Sequence, residues 1–203
     1  KLLCQIAKQY DCLTIVDAVT SLVGSELRVD EWGIDAIYSG SQKCLSAMPG
    51  ISPVSFSERA IYKIKHRKKT VTSWFLDLNL VMGYWGKGSK RAYHHTAPVN
   101  TLYGLHESLV MLTEEGLENS WKRHQDNHIL LRDGLLNLGI DYLVDYSSRL
   151  PQLNSIYIPE NTDDAKVRST LITKYNIEIG AGLGILSGKI WRIGLMGYTS
   201  RKE

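Results

Sequence analysis

Apolar residues recur along this chain at two spacings, and the spacing predicts the elements. Leu2, Leu3, Ile6 and Ala7 fall on one helical face, so residues 1–10 read as the tail of an amphipathic helix. The next apolar runs are short and unbroken. Leu13 to Val16 predicts a buried strand closed by Asp17, and residues 35–39 (Asp-Ala-Ile-Tyr-Ser) predict a second. Residues 51–56 alternate and predict a third strand, antiparallel or at an edge, because Pro53 has no amide to give to a central ladder. Ser57 followed by Glu58 predicts the start of a helix over 57–66. Residues 74–85, rich in Trp, Leu and Tyr, predict an ordered segment packed on a core or on a partner subunit.

The helical period then returns. Leu102, Leu105, Leu109 and Leu112 predict a core-facing helix from Asn100 to Gly116, with Gly116-Leu117-Glu118 as its C-cap. A second long helix is expected from Glu118 to Leu138, with Trp121, His124, His128, Leu131 and Leu135 along one stripe and Gly139 to end it. Beyond it the elements shorten again. Tyr142-Leu143-Val144, Ser155 to Ile158, Ile177-Glu178-Ile179 and Lys189 to Gly197 read as strands. Residues 163–175 read as a helix opened by Asp163 and Asp164, whose charge suits the positive end of the helix dipole. Strands alternating with helices give an α/β chain, and the change of pattern places a domain boundary near residue 116.

Composition fits that class. The chain has 203 residues, 43% hydrophobic and 22% charged, enough to bury a sizeable core. A net charge of +3 is too small to imply a nucleic-acid partner. The basic run from Lys63 to Lys69 alternates with Ile61, Tyr62 and Ile64 and reads as a solvated helix face. The three cysteines have no CxxC spacing, which argues against a disulfide framework or a zinc site and for a reducing compartment. No apolar run approaches the ~18 residues that would predict a membrane span. The chain opens inside a helical pattern without Met, and Thr199 to Glu203 reads as a cap and the first turn of a further helix, so a fragment is expected.

Candidate chemistry collects at the strand ends. Asp17 closes the first strand, where open α/β sheets place their ligands; a turn or N-cap aspartate is the alternative. The second strand runs into Ser39-Gly40-Ser41-Gln42-Lys43. Lysine and aspartate at the mouths of neighbouring strands suit pyridoxal phosphate (PLP): the amine forms a Schiff base and the carboxylate holds the protonated ring nitrogen. Such a lysine must be deprotonated part of the time, and the small residues before Lys43 leave room for a flat ring. A surface lysine in a loop is the other reading. Arg192 sits inside an apolar strand and needs an anion, either a substrate carboxylate or an internal acid. Tyr93 and Thr96 flank His94 and His95. Adjacent histidines point apart and ligate one metal poorly, whereas the two hydroxyls suit a phosphate. His124 and His128 have the i, i+4 spacing of a metal pair, but satisfied helix histidines explain them as well. Gly180-Ala181-Gly182-Leu183-Gly184 reads as a flexible run and matches no phosphate-loop spacing.

Taken in order, Val16-Asp17-Ala18-Val19-Thr20-Ser21, Tyr38 to Lys43, Tyr93-His94-His95-Thr96, Gly116-Leu117-Glu118-Asn119, Gly182-Leu183-Gly184 and Trp191-Arg192-Ile193-Gly194 resemble the alanine–glyoxylate / serine–pyruvate aminotransferases. These are class V, fold-type I PLP enzymes, and the resemblance runs along essentially the whole chain. It implies that residues 1–115 are the C-terminal portion of the PLP-binding large domain, a mostly parallel sheet with flanking helices. Residues 116–203 would be a smaller, truncated α+β domain. It implies that Lys43 forms the internal aldimine and shuttles a proton, Asp17 pairs with the ring nitrogen, Val19 packs on the ring and Gln42 contacts the phosphate. Tyr93 and Thr96 would reach the phosphate of the neighbouring subunit's PLP, so a homodimer with shared active sites is expected. Arg192 would bind the carboxylate of an amino acid or 2-oxo acid. The family's N-terminal half, with its glycine-rich phosphate loop, does not appear in this chain. An intracellular soluble setting follows, cytoplasmic or in peroxisomes or mitochondria, with no membrane or nucleic-acid partner. A 3-hydroxykynurenine transaminase, a desulfurase or lyase using Cys44, and a non-catalytic homologue stay open as alternatives.

Overall fold

The computed structural model describes residues 1–85 and 92–201; Arg91, Lys202 and Glu203, which fall in segments read above, lie outside the described residues. The elements in chain order are α1 (Leu2–Gln9), β1 (Ile15–Asp17), α2 (Val29–Trp32), β2 (Ala36–Tyr38), β3 (Val54–Phe56), α3 (Glu58–Lys65), α4 (Leu78–Trp85), α5 (Val99–Glu115), α6 (Leu117–Asn137), β4 (Leu153–Tyr157), α7 (Asp164–Tyr175), β5 (Gly180–Ala181) and β6 (Ile190–Gly194). Among the described residues no helix is long and apolar enough to cross a membrane.

Local chemistry sets several boundaries. Ser57 Oγ accepts from the Ala60 amide at 3.1 Å and opens α3. Asp163 Oδ1 does the same for Lys166 at 3.0 Å and opens α7, which Asn176 closes in the left-handed region. Gly116 has φ +85°, so it ends α5 and starts α6 in one residue.

Two three-stranded sheets result, with orders β1-β2-β3 and β4-β6-β5. In the first, β1 runs parallel to β2 with Asp17 opposite Tyr38, and β3 runs antiparallel on the other side of β2. Pro53 lies just outside β3, where its missing amide costs nothing and its carbonyl accepts from Ser39 at 2.9 Å. The second sheet is antiparallel throughout.

Four expectations need correction. The strand expected to be buried over residues 13–16 is β1, Ile15–Asp17, and it is open to solvent, with Ile15 76% exposed. Tyr142 makes an isolated bridge to Ile156, and residues 142–144 form no strand. Residues 177–179 are not a strand either, because the Ile177 amide turns back to the Leu171 carbonyl at 3.1 Å and completes the end of α7. The glycine run is fixed in place. Gly180 and Ala181 pair with β6, the Gly182 amide donates to Ile190 at 3.0 Å, and a Cβ on Gly182 would overlap the Leu186 carbonyl.

The core is three clusters. Cys4, Ala18, Ile34 and Ile37 pack under the first sheet. Val23, Cys44 and Leu45 meet Leu105 and Leu112 of α5. Tyr142, Ile156 and Trp191 fill the second sheet with Leu135 and Val167. Polar side chains tie the two sheets together. Gln152 is fully buried; its Nε2 donates to the Thr20 carbonyl at 2.9 Å and its Oε1 accepts from Ser25 Oγ at 3.0 Å. Ser120 Oγ donates to the Val23 carbonyl at 3.2 Å. A buried amide with both ends bonded fixes one docking geometry, since any other leaves polar atoms unpaired.

Candidate active site

Asp17 is the last residue of β1, and both its carboxylate oxygens are engaged. Oδ1 accepts from the Val19 amide and Oδ2 from the Tyr38 hydroxyl, each at 2.9 Å. The second bond follows from the register, since Asp17 and Tyr38 are partners in the parallel ladder and present to the same face. The Asp17 carboxylate beside it raises the Tyr38 hydroxyl above its ordinary pKa, so the phenol stays a donor.

From Tyr38 the chain enters the lysine loop, which hydrogen bonds hold along its length. Ser39 Oγ donates to the Ala18 carbonyl at 2.9 Å, and Ser41 Oγ to the Met48 carbonyl at 2.6 Å. The Ser46 amide closes a turn onto Lys43 at 2.9 Å. Ser39, Gly40, Ser41, Cys44 and Leu45 are buried, which leaves Lys43 half-buried and Gln42 exposed at the rim. The space beside Gly40 is taken by the Gln42 side chain, whose Oε1 lies 2.6 Å from where a Cβ would stand. Cys44 points the other way, into the core, 3.5 Å from the Thr20 carbonyl, and burial pushes its thiol pKa up.

Lys43 and Gln42 form one wall of an open cleft whose other wall is Gly194, Leu195 and Arg201, the stretch that β6 leads into. Arg192, on β6, donates from Nε to the Ala181 carbonyl at 2.8 Å. Among the described residues no carboxylate pairs with it. Gly180 lies alongside, and a Cβ there would come within 3.3 Å of Arg192 Nη2.

Tyr93 OH and Thr96 Oγ1 are 2.7 Å apart on an exposed segment that leads into α5. Their described hydrogen bond is to each other and not to Asp17, Gln42 or Lys43. His94 is buried, stacked on Trp74 at 4.0 Å and bonded through Nε2 to the Trp74 carbonyl at 3.1 Å. His95 lies beside it with the two Nδ1 atoms 2.7 Å apart.

Several residues support the lysine loop, and of these the chain pattern singled out only His124. The Tyr198 amide donates to Ser46 Oγ at 2.7 Å, and Gly197 packs against the carbonyls of Lys43 and Cys44. The Gly197 amide in turn donates to Nε2 of the fully buried His124 at 2.9 Å, while Arg123 Nη1 holds the carbonyls of Gly197 and Ser200 at 2.8 Å each. Helix α6 therefore grips the turn after β6, and that turn grips the lysine loop. His124 is a satisfied buried histidine: Nδ1 gives its proton to the Ser120 carbonyl at 2.7 Å. His128 bonds Asn154 Oδ1 at 2.7 Å in the same way. The only trace of this network in the sequence is polar residues on the apolar stripe of a helix.

The profile of the aminotransferase class-V family matches residues 1–203. The chain is 44% identical over 201 residues to an alanine–glyoxylate aminotransferase of Callithrix jacchus, covering 98% of this chain and 49% of that protein. It is 37% identical over 217 residues to an (S)-ureidoglycine–glyoxylate transaminase of Bacillus subtilis, covering 98% of this chain and 52% of that protein. The crystal structure of an alanine–glyoxylate aminotransferase from Nostoc sp. superimposes with a TM-score of 0.93 at 45% identity, over 98% of this chain and 52% of that one. The chain thus spans about half the length of the curated relatives it matches. The chain therefore belongs to the class-V aminotransferases.

Proposed function

We propose that this chain carries the lysine side of a PLP-dependent transaminase that moves an amino group from alanine or serine to glyoxylate or another 2-oxo acid by a ping-pong mechanism. The observation that carries the reading is the register of β1 and β2. Asp17 and Tyr38 are partners at the carboxyl ends of parallel strands, so a carboxylate and the loop bearing Lys43 leave the same edge of the sheet. The donor set fits PLP: a carboxylate for the ring nitrogen, a primary amine for the aldehyde, and hydroxyl and amide donors for the phosphate. Lys43, Asp17, Val19 and Gln42 would hold the group, and Tyr93 and Thr96 would meet the phosphate of a partner subunit's PLP in a homodimer. Residues 1–115 then belong to the cofactor-binding domain and 116–203 to the smaller one; the two sheets lie on either side of the Gly116 junction in the sequence.

When bound, PLP supplies an electron sink for the substrate Cα. The rest falls to the chain. Asp17, held by two donors, keeps a proton on the ring nitrogen. Lys43 Nζ would act as the general base that takes the substrate Cα proton. Arg192, whose Nη nitrogens meet no carboxylate among the described residues, would turn them to the substrate carboxylate. Glyoxylate as acceptor is supported by the two relatives whose names share it; their donors differ, so the donor is the less constrained half of the proposal. The desulfurase alternative needs an accessible thiolate, and Cys44 is 4% exposed with its thiol pKa raised.

The full-length protein should take up PLP with a visible absorbance band and form pyruvate from alanine only with glyoxylate present. Lys43→Ala should lose both. A band that survives in Lys43→Ala refutes the lysine assignment, and sulfide release from cysteine without transamination favours the alternative.

A further inference from the structure

Tyr38 belongs to none of the three core clusters and is 40% exposed, yet its hydroxyl makes a specific bond across the ladder to Asp17 Oδ2 at 2.9 Å. The other oxygen of the same carboxylate is held by the Val19 amide. A carboxylate bonded through one oxygen can still swing about its Cβ–Cγ bond. Bonded through both, from an amide on one side and a rigid phenol on the other, it has one plane. An aromatic ring reaches this position with few rotatable bonds, so the donor arrives already oriented.

We propose that Tyr38 is a positioning residue for Asp17, setting the plane of the carboxylate that meets the cofactor's ring nitrogen. This rests on the PLP reading above. Asp17 still has free lone pairs for a ring N–H, so the Tyr38 bond leaves space for the cofactor bond and orients it. The phenol keeps its proton at neutral pH, because losing it would set two anions side by side. Tyr38 is also the last strand residue before the lysine loop, so one residue anchors the loop's start to the carboxylate.

The test is a double-mutant cycle read by PLP affinity in the full-length protein, measured by absorbance titration. Tyr38→Phe should weaken PLP binding about tenfold, the scale of one hydrogen bond to a charged group. In an Asp17→Asn background the same change should cost at most about twofold, because the charge it orients is gone. Placing 4-aminophenylalanine at position 38 restores a donor on the same ring and should recover most of the affinity. If Tyr38→Phe failed to fold, this variant would decide alone, with near wild-type affinity supporting the assignment and a tenfold loss overturning it. Equal losses in both backgrounds, or a Tyr38→Phe affinity within about twofold of wild type, overturn the Tyr38 assignment and leave the PLP reading standing. Wild-type protein that binds no PLP overturns the PLP reading itself, and the Tyr38 assignment with it.

Discussion

Gly197 has no room for a side chain because Ser46 occupies the place. A Cβ there would overlap Ser46 Oγ and sit 3.2 Å from the carbonyls of Lys43 and Cys44, and the residue has φ +69°. Gly197→Ala should therefore destabilise the fold by about 2–4 kcal/mol, from overpacking plus left-handed strain. Ser46→Gly in that background removes the overlapping oxygen, and position 46 already has φ +60°, which glycine adopts freely. Partial recovery of the denaturation midpoint in the double variant is the expected result. A Gly197→Ala midpoint equal to wild type would show that the two turns can separate at no cost.

His124 and His128 are both buried on α6, and burial lowers the pKa of each. A histidine whose folded-state pKa lies below its unfolded value stabilises the fold fully above the unfolded value, about 6.5. That stability is lost as pH falls toward the folded value. His124 has a further reason: protonation of Nε2 would turn the acceptor of the Gly197 amide into a second donor. Unfolding free energy should fall between pH 7.5 and 5, at no more than about 1.4 kcal/mol per pH unit for each histidine. His124→Gln should flatten the profile in urea titrations. A wild-type profile that is flat or rises toward acid would contradict this account.

Much of the local order was legible in the sequence because it is written in nearest neighbours. Ser57 and Asp163 announce their helices through their own side chains, and the leucine spacing marks α5. Asp17, Lys43 and Arg192 stood out because charged groups in or beside apolar runs are unusual. The rest depends on distant pairs. Leu102 and Leu109 share the period of Leu105 and Leu112, yet only the latter two join the core cluster, and spacing cannot tell them apart. Ile177 and Ile179 look like a strand until the end of α7 claims the Ile177 amide. Tyr38 reads as one more β-former until the parallel register sets it beside Asp17.

The three cysteines should separate by reactivity. Cys12 is exposed, while Cys4 and Cys44 are buried and Cys44 has a raised pKa. Thiolate fraction and access both govern alkylation. Brief maleimide labelling of the native protein, mapped by mass spectrometry, should modify Cys12 and leave Cys44 intact until denaturant is added. Rapid labelling of Cys44 would place an accessible thiol beside Lys43 and revive the desulfurase reading.

Arg192 offers the sharpest separation of binding from folding. Its Nε is tied to the Ala181 carbonyl, while no acid among the described residues meets its remaining nitrogens. Arg192→Lys keeps the charge but cannot span the carbonyl and a carboxylate together, because an ammonium is a point donor and not a fork. A bidentate charged contact contributes about 2–3 kcal/mol, so KM for both the amino acid and the 2-oxo acid should rise about 30- to 150-fold. The loss of one backbone bond should lower stability by only about 1 kcal/mol. Steady-state kinetics beside a denaturation curve reads both. A KM unchanged for both substrates would assign their carboxylates to another group, and a collapse of stability would recast Arg192 as a structural tie between β5 and β6.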